Sequence, residues 1–208
     1  MTQKIIRIVP TEIFFSITWN IGKRCNFDCM YCPTYLHDDT SSNKSLEEFK
    51  ANWVKIFEAT KQKNLKYKIS FSGGEVTINK NFIPFLEWLT SNYQQYIGQI
   101  LVTSNGSASY RYYSNLLKYV DNLSLSLHSE HVNEQKFFET VIKLHVQFKN
   151  KKFIHVNFMN EFWNQNRITY YESICKQHHV SYSINEIDYN LKTREYPIMK
   201  GKLNFEIH

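Results

Sequence analysis

No stretch of the chain approaches the roughly 18 consecutive apolar residues that a membrane span needs. The opening segment Met1-Thr2-Gln3-Lys4-Ile5-Ile6-Arg7 lacks the apolar core of a secretory signal. No linker, low-complexity run or internal repeat divides the 208 residues. These absences predict a soluble, cytoplasmic protein. It is expected to be one domain over residues 1–208, with a core of about 12–187 and a C-terminal tail of 188–208. A hydrophobic content of 42% with 21% charged residues excludes the disordered and collagen-like classes.

Charge of one sign is in modest excess: 25 Lys+Arg against 19 Asp+Glu give a net +6. The basic residues are scattered, and their longest clusters, Lys61-Gln62-Lys63 and Lys149-Asn150-Lys151-Lys152, are short. The many Tyr, Phe, Asn, Ile and Lys are residues with AT-rich codons, which accounts for the balance. A nucleic-acid partner is therefore not expected from charge.

Cysteine is scarce as well, and its placement is informative. Of four cysteines, Cys25, Cys29 and Cys32 fall within eight residues, and Cys175 stands apart. Random placement would give the C-x-x-x-C-x-x-C pattern about 0.0015 times per chain. A disulfide framework fits neither an intracellular setting nor the isolated Cys175.

Hydrophobic periodicity alternates between two forms. Strands are predicted over residues 12–19, 67–71, 99–103, 122–127, 153–158 and 180–185. Helices are predicted from Ser45 to about Lys61 and over 80–93, 109–119, 131–149 and 167–178. Ser45 with Glu48 three residues on is a capping box, and Leu46, Phe49, Trp53, Ile56 and Phe57 share one face. Strands separated by helices require crossovers, hence a parallel sheet. The fold class is α/β, a partial (β/α)6 barrel, since eight units usually take roughly 250 residues.

Function in such folds gathers at the carboxyl ends of strands. The first predicted strand runs into the cysteine loop, and the second into Ser72-Gly73-Gly74-Glu75. The third ends at Ser104-Asn105-Gly106, the fourth at Ser126 and His128, and the fifth near Asn157. Ser, Asn and Gly also end strands simply because they make turns, which explains the cysteines poorly.

Three thiols at this spacing leave several readings open. Zinc prefers four ligands, and only one C-x-x-C pair is present, so His37 or His128 would supply the fourth. A [4Fe–4S] cluster accepts thiolates spaced closely in one loop, and three leave one iron open. A thioredoxin-type redox pair leaves Cys25 unexplained.

The segment Cys25-Asn26-Phe27-Asp28-Cys29-Met30-Tyr31-Cys32, placed after a first strand, resembles the signature of radical S-adenosylmethionine (SAM) enzymes. Ser72-Gly73-Gly74-Glu75 resembles their second motif, and Ser104-Asn105-Gly106 a usual polar continuation, in matching order over roughly residues 12–160. The resemblance implies that Cys25, Cys29 and Cys32 ligate a [4Fe–4S] cluster whose open iron chelates SAM. Reductive cleavage would then give a 5′-deoxyadenosyl radical that abstracts hydrogen from substrate.

The remaining roles follow from the same resemblance. Gly73 and Gly74 let backbone approach the methionine end, and Glu75 pairs with its ammonium group. Tyr31 borders the adenine. Ser104, Asn105 and Ser126 serve the ribose and carboxylate, Asn157 reaches adenine or ribose, and His128 is a polar wall of the same site. Lys23 and Arg24 flank the loop, where they would attract the cluster or an acidic electron donor such as flavodoxin or ferredoxin, with solvated loop charges as the alternative.

Tyr35, His37, Asp38 and Asp39 are candidates for the pocket mouth, with solvated turn residues as the alternative. Cys175 reads as core, and Tyr189, Arg194 and Tyr196 as a possible cover of the barrel end. No second cysteine cluster follows, so no auxiliary cluster is expected. The substrate is expected to be a small polar molecule. Two rival readings stand, a zinc protein and an iron–sulfur electron carrier; neither has a use for Glu75, so Glu75→Ala is expected to separate them from a SAM enzyme.

Overall fold

The computed structural model describes residues 14–63, 65–161 and 163–187. Glu12 and Ile13 of the first predicted strand, and Tyr189, Arg194 and Tyr196 of the tail, lie outside the described residues.

Six strands and five helices alternate along the chain. They are β1 (Phe14–Asn20), α1 (Leu46–Thr60), β2 (Lys66–Ser72), α2 (Phe82–Tyr93), β3 (Ile97–Ser104) and α3 (Tyr110–Leu116). Then come β4 (Asn122–Leu127), α4 (Glu134–Phe148), β5 (Phe153–Asn160), α5 (Gln165–His178) and β6 (Ser181–Glu186). All neighbouring strands pair in parallel, and their spatial order β1-β2-β3-β4-β5-β6 follows the sequence. This is one open α/β sheet of the partial-barrel kind.

Strand alternation decides where the core sits. In β2, Tyr67, Ile69 and Phe71 are buried, whereas Lys68, Ser70 and Ser72 on the other face are only half-covered. The buried set meets the helices. Phe49, Trp53 and Phe57 recur on one face of α1, and Phe49 stacks on Phe85 of α2 at 4.9 Å between centroids. Trp19 of β1 meets Phe85 edge-on at 5.5 Å. Each such ring contributes roughly 1.5–3 kcal/mol by leaving water. Cys175 is buried in α5 with Ile168 and Tyr171, away from the other thiols.

Boundaries shift from the sequence expectation where a local hydrogen bond decides. α4 starts at Glu134 rather than near residue 131, because the Asn133 side chain accepts from the Lys136 N–H. α3 runs only from Tyr110 to Leu116, entered through Ser109, which accepts from the Tyr112 N–H. A short 3₁₀ turn, Val76–Ile78, follows the Gly-Gly-Glu segment and is capped by Glu75 itself.

Ser45 and Glu48 form the capping box expected of them. Ser45 Oγ accepts from the Glu48 N–H, and the Glu48 carboxylate accepts from the Ser45 N–H and hydroxyl. These bonds hold the Glu48 carboxyl below its usual pKa. Such stabilisation is complete above the ordinary carboxylate value and is lost as pH falls through the depressed one. Ser45→Ala is expected to lower stability by about 1 kcal/mol in urea unfolding at neutral pH. The wild-type advantage should shrink in strong acid to what the Ser45 Oγ bond to the Glu48 N–H supplies; a mutant that unfolds with wild-type midpoint at pH 7 would contradict it.

Candidate active site

The cysteine loop is fastened to the sheet at two levels. Beyond β1, the Ile21 N–H donates to Ser72 O at 2.9 Å. The Gly74 N–H donates to Gly22 O and the Glu75 N–H to Arg24 O, both at 2.8 Å. The loop then closes on itself: the Asp38 N–H donates to Lys23 O at 3.0 Å, and the Cys25 N–H to Asp38 O at 2.7 Å. Asp38 is thus a fastener. Its carboxylate accepts from the Thr40 N–H, the Ser41 N–H and the Ser41 hydroxyl, and the Ser41 bonds hold its pKa below the usual range. Asp39 is exposed, and Tyr35 is half-buried.

Glycine is required at the crossing for a reason other than ligand approach. A Cβ on Gly74 would sit 2.2 Å from Arg24 O and 2.3 Å from Lys23 O. Gly73 has φ +141°, and a Cβ there would sit 2.6 Å from Gly22 O. The two glycines therefore let the cysteine loop lie against the strand end.

Cys25, Cys29 and Cys32 line one open cavity of about 440 Å³ with Tyr31, Gly73, Gly74, Ser104, Asn105, Ser126 and His128. That is within the usual range for a ligand pocket. Burial pushes the Cys25 thiol up, and the Cys29 thiol up to about 12. Both would be protonated at neutral pH without a positive partner, which a metal centre supplies. Donors already point at sulfur: the Phe27 N–H lies 3.4 Å and Asn105 Nδ2 3.9 Å from Cys25 Sγ. A single zinc needs its sulfurs within about 4 Å of one another. Among the described residues, the donors drawn within 4.8 Å are instead those of Cys29, Glu130 and His131. Three thiols in one loop are a donor set that suits an iron–sulfur cluster, and among the described residues they form no group tight enough for one ion.

The histidines are engaged. His37 spans the loop, with Nδ1 3.1 Å from Pro33 O and Nε2 3.0 Å from the Asp28 carboxylate. His128 Nδ1 lies 3.5 Å from Cys29 Sγ and in short contact with the Tyr31 hydroxyl. Tyr31 and His128 stack, with rings 10° apart. Burial, with His131 nearby, pushes the His128 pKa down to about 4.

Glu75 and Asn157 are not brought to the cavity wall. The Glu75 carboxylate is 2% exposed and faces into the protein. It accepts from the Thr77 N–H at 2.9 Å, the Ser104 hydroxyl at 2.8 Å and the Asn105 N–H at 2.6 Å. Burial pushes its pKa up against those donors. Ser104 is likewise committed, since its oxygen also meets the Tyr113 hydroxyl at 2.8 Å. Asn105 reaches across the loop to Asn26 Oδ1 at 3.0 Å. Asn157 bonds within the sheet, to Ser124, Ser126 and Ser183.

One residue escaped the sequence reading. Glu161, fully buried just beyond β5, accepts on one oxygen from the Ser129 N–H and hydroxyl and from Asn164, and the Tyr31 hydroxyl lies nearby. Its place at a strand's carboxyl end was the available signal.

The family profile described as the radical SAM superfamily matches residues 19–156. No curated protein matches the chain. Among solved structures, the chain is similar to Streptococcus suis SuiB bound to precursor peptide SuiA. The TM-score is 0.65 at 16% identity, over 88% of this chain and 42% of that one. It is also similar to BtrN in complex with AdoMet and 2-DOIA, with TM-score 0.51 and 18% identity, over 70% of this chain and 57% of that one. The chain thus spans about half the length of these proteins or less, and at such identities the likeness is one of fold.

Glu75→Ala would leave two buried N–H groups without an acceptor. We expect a stability loss on the order of 3 kcal/mol, read as a lowered urea midpoint, with Glu75→Gln intermediate. Wild-type unfolding of Glu75→Ala would overturn this. The substitution therefore reports on the fold as well as on any ligand, and alone it does not separate a SAM enzyme from an electron carrier.

Proposed function

This chain belongs to the radical SAM superfamily, and from that premise we propose that it cleaves SAM reductively to act on a small polar substrate. The superfamily's cofactors are a [4Fe–4S] cluster and SAM. The observation that supports the reading best is the meeting of three thiols from one loop with the Gly73-Gly74 edge of β2 in a single cavity.

When bound, the cluster and SAM supply a one-electron reduction, scission of a sulfonium C–S bond and an alkyl radical able to take hydrogen from substrate. The protein's part is to hold and to shield. Cys25, Cys29 and Cys32 would be the thiolate ligands. Loss of the Cys25 proton is resisted by burial and favoured by the N–H donors of Phe27 and Asn105. Gly73, Gly74, Ser126 and the backbone beside Tyr31 would form the walls against SAM. Glu75 would act indirectly, by fixing Asn105 and Ser104 at the end of β3.

Tyr31 and His128 close the inner side of the cavity as neutral groups, which keeps water and stray protons from a reactive intermediate. Lys23 and Arg24 are exposed beside the loop, where an acidic electron donor would find them. Among the described residues no helix is long and apolar enough to cross a membrane.

Anaerobic reconstitution followed by SAM and dithionite should yield 5′-deoxyadenosine, detected by mass spectrometry, even without substrate. Cys29→Ala should yield none and bind less iron. A preparation that holds about one tightly bound zinc and forms no 5′-deoxyadenosine would sink the reading.

A further inference from the structure

A parallel sheet is normally covered on both faces, and barrel interiors are filled by layers of Val, Ile and Leu. Here the helix-facing set is apolar as usual, but the opposite face is not. Register places Asn20 opposite Ser72, Thr103 opposite Ser124, Ser124 opposite His155, and His155 opposite Ser181. A row of small neutral polar side chains therefore runs across all six strands. The next row towards the cysteines continues it, with Ser126 opposite Asn157 and Asn157 opposite Ser183. Neither row contains a charged residue. Asn20, Ser72, Thr103 and Ser126 also line the cysteine cavity, so the face and the cavity are continuous.

The hydrogen bonds within these rows have a fixed direction. Asn157 gives both Nδ2 protons, to Ser124 Oγ at 2.8 Å and Ser126 Oγ at 3.3 Å. Its Oδ1 accepts the Ser183 hydroxyl proton at 3.0 Å. Ser183 Oγ can then only accept from His155 Nε2, at 3.1 Å, which leaves His155 Nδ1 to accept the Ser181 hydroxyl at 2.9 Å. Burial holds the His155 pKa below its usual value, so at neutral pH the ring is this neutral tautomer. Ser124 and Ser126 accept and retain their own O–H protons to donate, while Ser181 and Ser183 retain lone pairs. The two rows offer oriented donors and acceptors side by side, with no cation among them for a phosphate or carboxylate.

We propose that this face is the substrate floor and that the substrate is an uncharged, polyhydroxylated molecule of sugar or cyclitol size. Hydroxyl groups both give and receive, as the two rows do. The inference rests on the radical SAM reading for its chemistry, and on the sheet face alone for its ligand class.

The test is ligand-observed saturation-transfer NMR on the reconstituted holoprotein with SAM. The probes are glucose, N-acetylglucosamine and myo-inositol at millimolar concentration, against glucose 6-phosphate and an end-blocked Gly-Ser-Asn peptide. We expect at least one neutral polyol to bind, glucose 6-phosphate to bind more weakly than glucose, and Ser183→Ala to weaken the polyol about tenfold. His155→Leu should weaken it further, with iron content and thermal midpoint reporting the fold of each variant. If no neutral polyol binds, if the phosphate or the peptide is preferred, or if folded Ser183→Ala and His155→Leu bind as wild type does, the proposal is overturned. Wild-type 5′-deoxyadenosine formation, read on the same samples, separates the two levels. Cleavage without polyol binding removes the ligand class alone, and polyol binding without cleavage removes the radical reading alone.

Discussion

Everything at the rim depends on a backbone crossing with no room for a side chain. The carbonyls of Lys23 and Arg24 lie where a Cβ of Gly74 would stand, and the N–H groups of Gly74 and Glu75 donate into the same loop. Any larger residue at position 74 would push the cysteine loop off the strand end and out of register with it. The chemistry of the three thiols is thus subordinate to a packing condition between two pieces of main chain. A second fastening, the Arg24–Asp38 bridge, makes the loop a closed excursion rather than a free arm.

Glu75 extends that order from β2 to β3. A buried carboxylate is costly unless donors surround it, and here the donors come from the next turn of its own segment and from the end of the neighbouring strand. The burial that raises its pKa therefore accompanies a join between two strand ends. Asn105, held by that join, reaches on to Asn26 and Cys25. A chain of polar contacts then runs from the interior of β3 to a candidate metal ligand.

What the sequence disclosed follows from what spacing can encode. The alternation of strand and helix patterns and the carboxyl-end rule placed Cys25, Cys29, Cys32, Gly73 and Gly74 on one side of the sheet, and the structure brings them into one cavity. Spacing does not encode which way a side chain turns at a strand end. Glu75 and Asn157 were therefore expected to face a ligand, whereas both bond within the protein. Asp38 was a candidate for the pocket mouth because it follows the cysteines in the chain, with a turn residue as the alternative; its carboxylate is occupied by Thr40 and Ser41. Glu161 went unnoticed because it has no motif around it, and only the meeting of the β5 end with the cysteine loop brings it near Tyr31.

The sequential strand order also divides the molecule along its length. The loop, its clamp and the glycines all fall between Asn20 and Glu75, a segment finished by the second strand, while Asn157, His155, Ser181 and Ser183 belong to the last two. The two groups of residues share no member. Side chains on the open face of β5 and β6 can therefore change without touching the crossing at Gly74, so the two ends of the sheet are separable as targets for redesign.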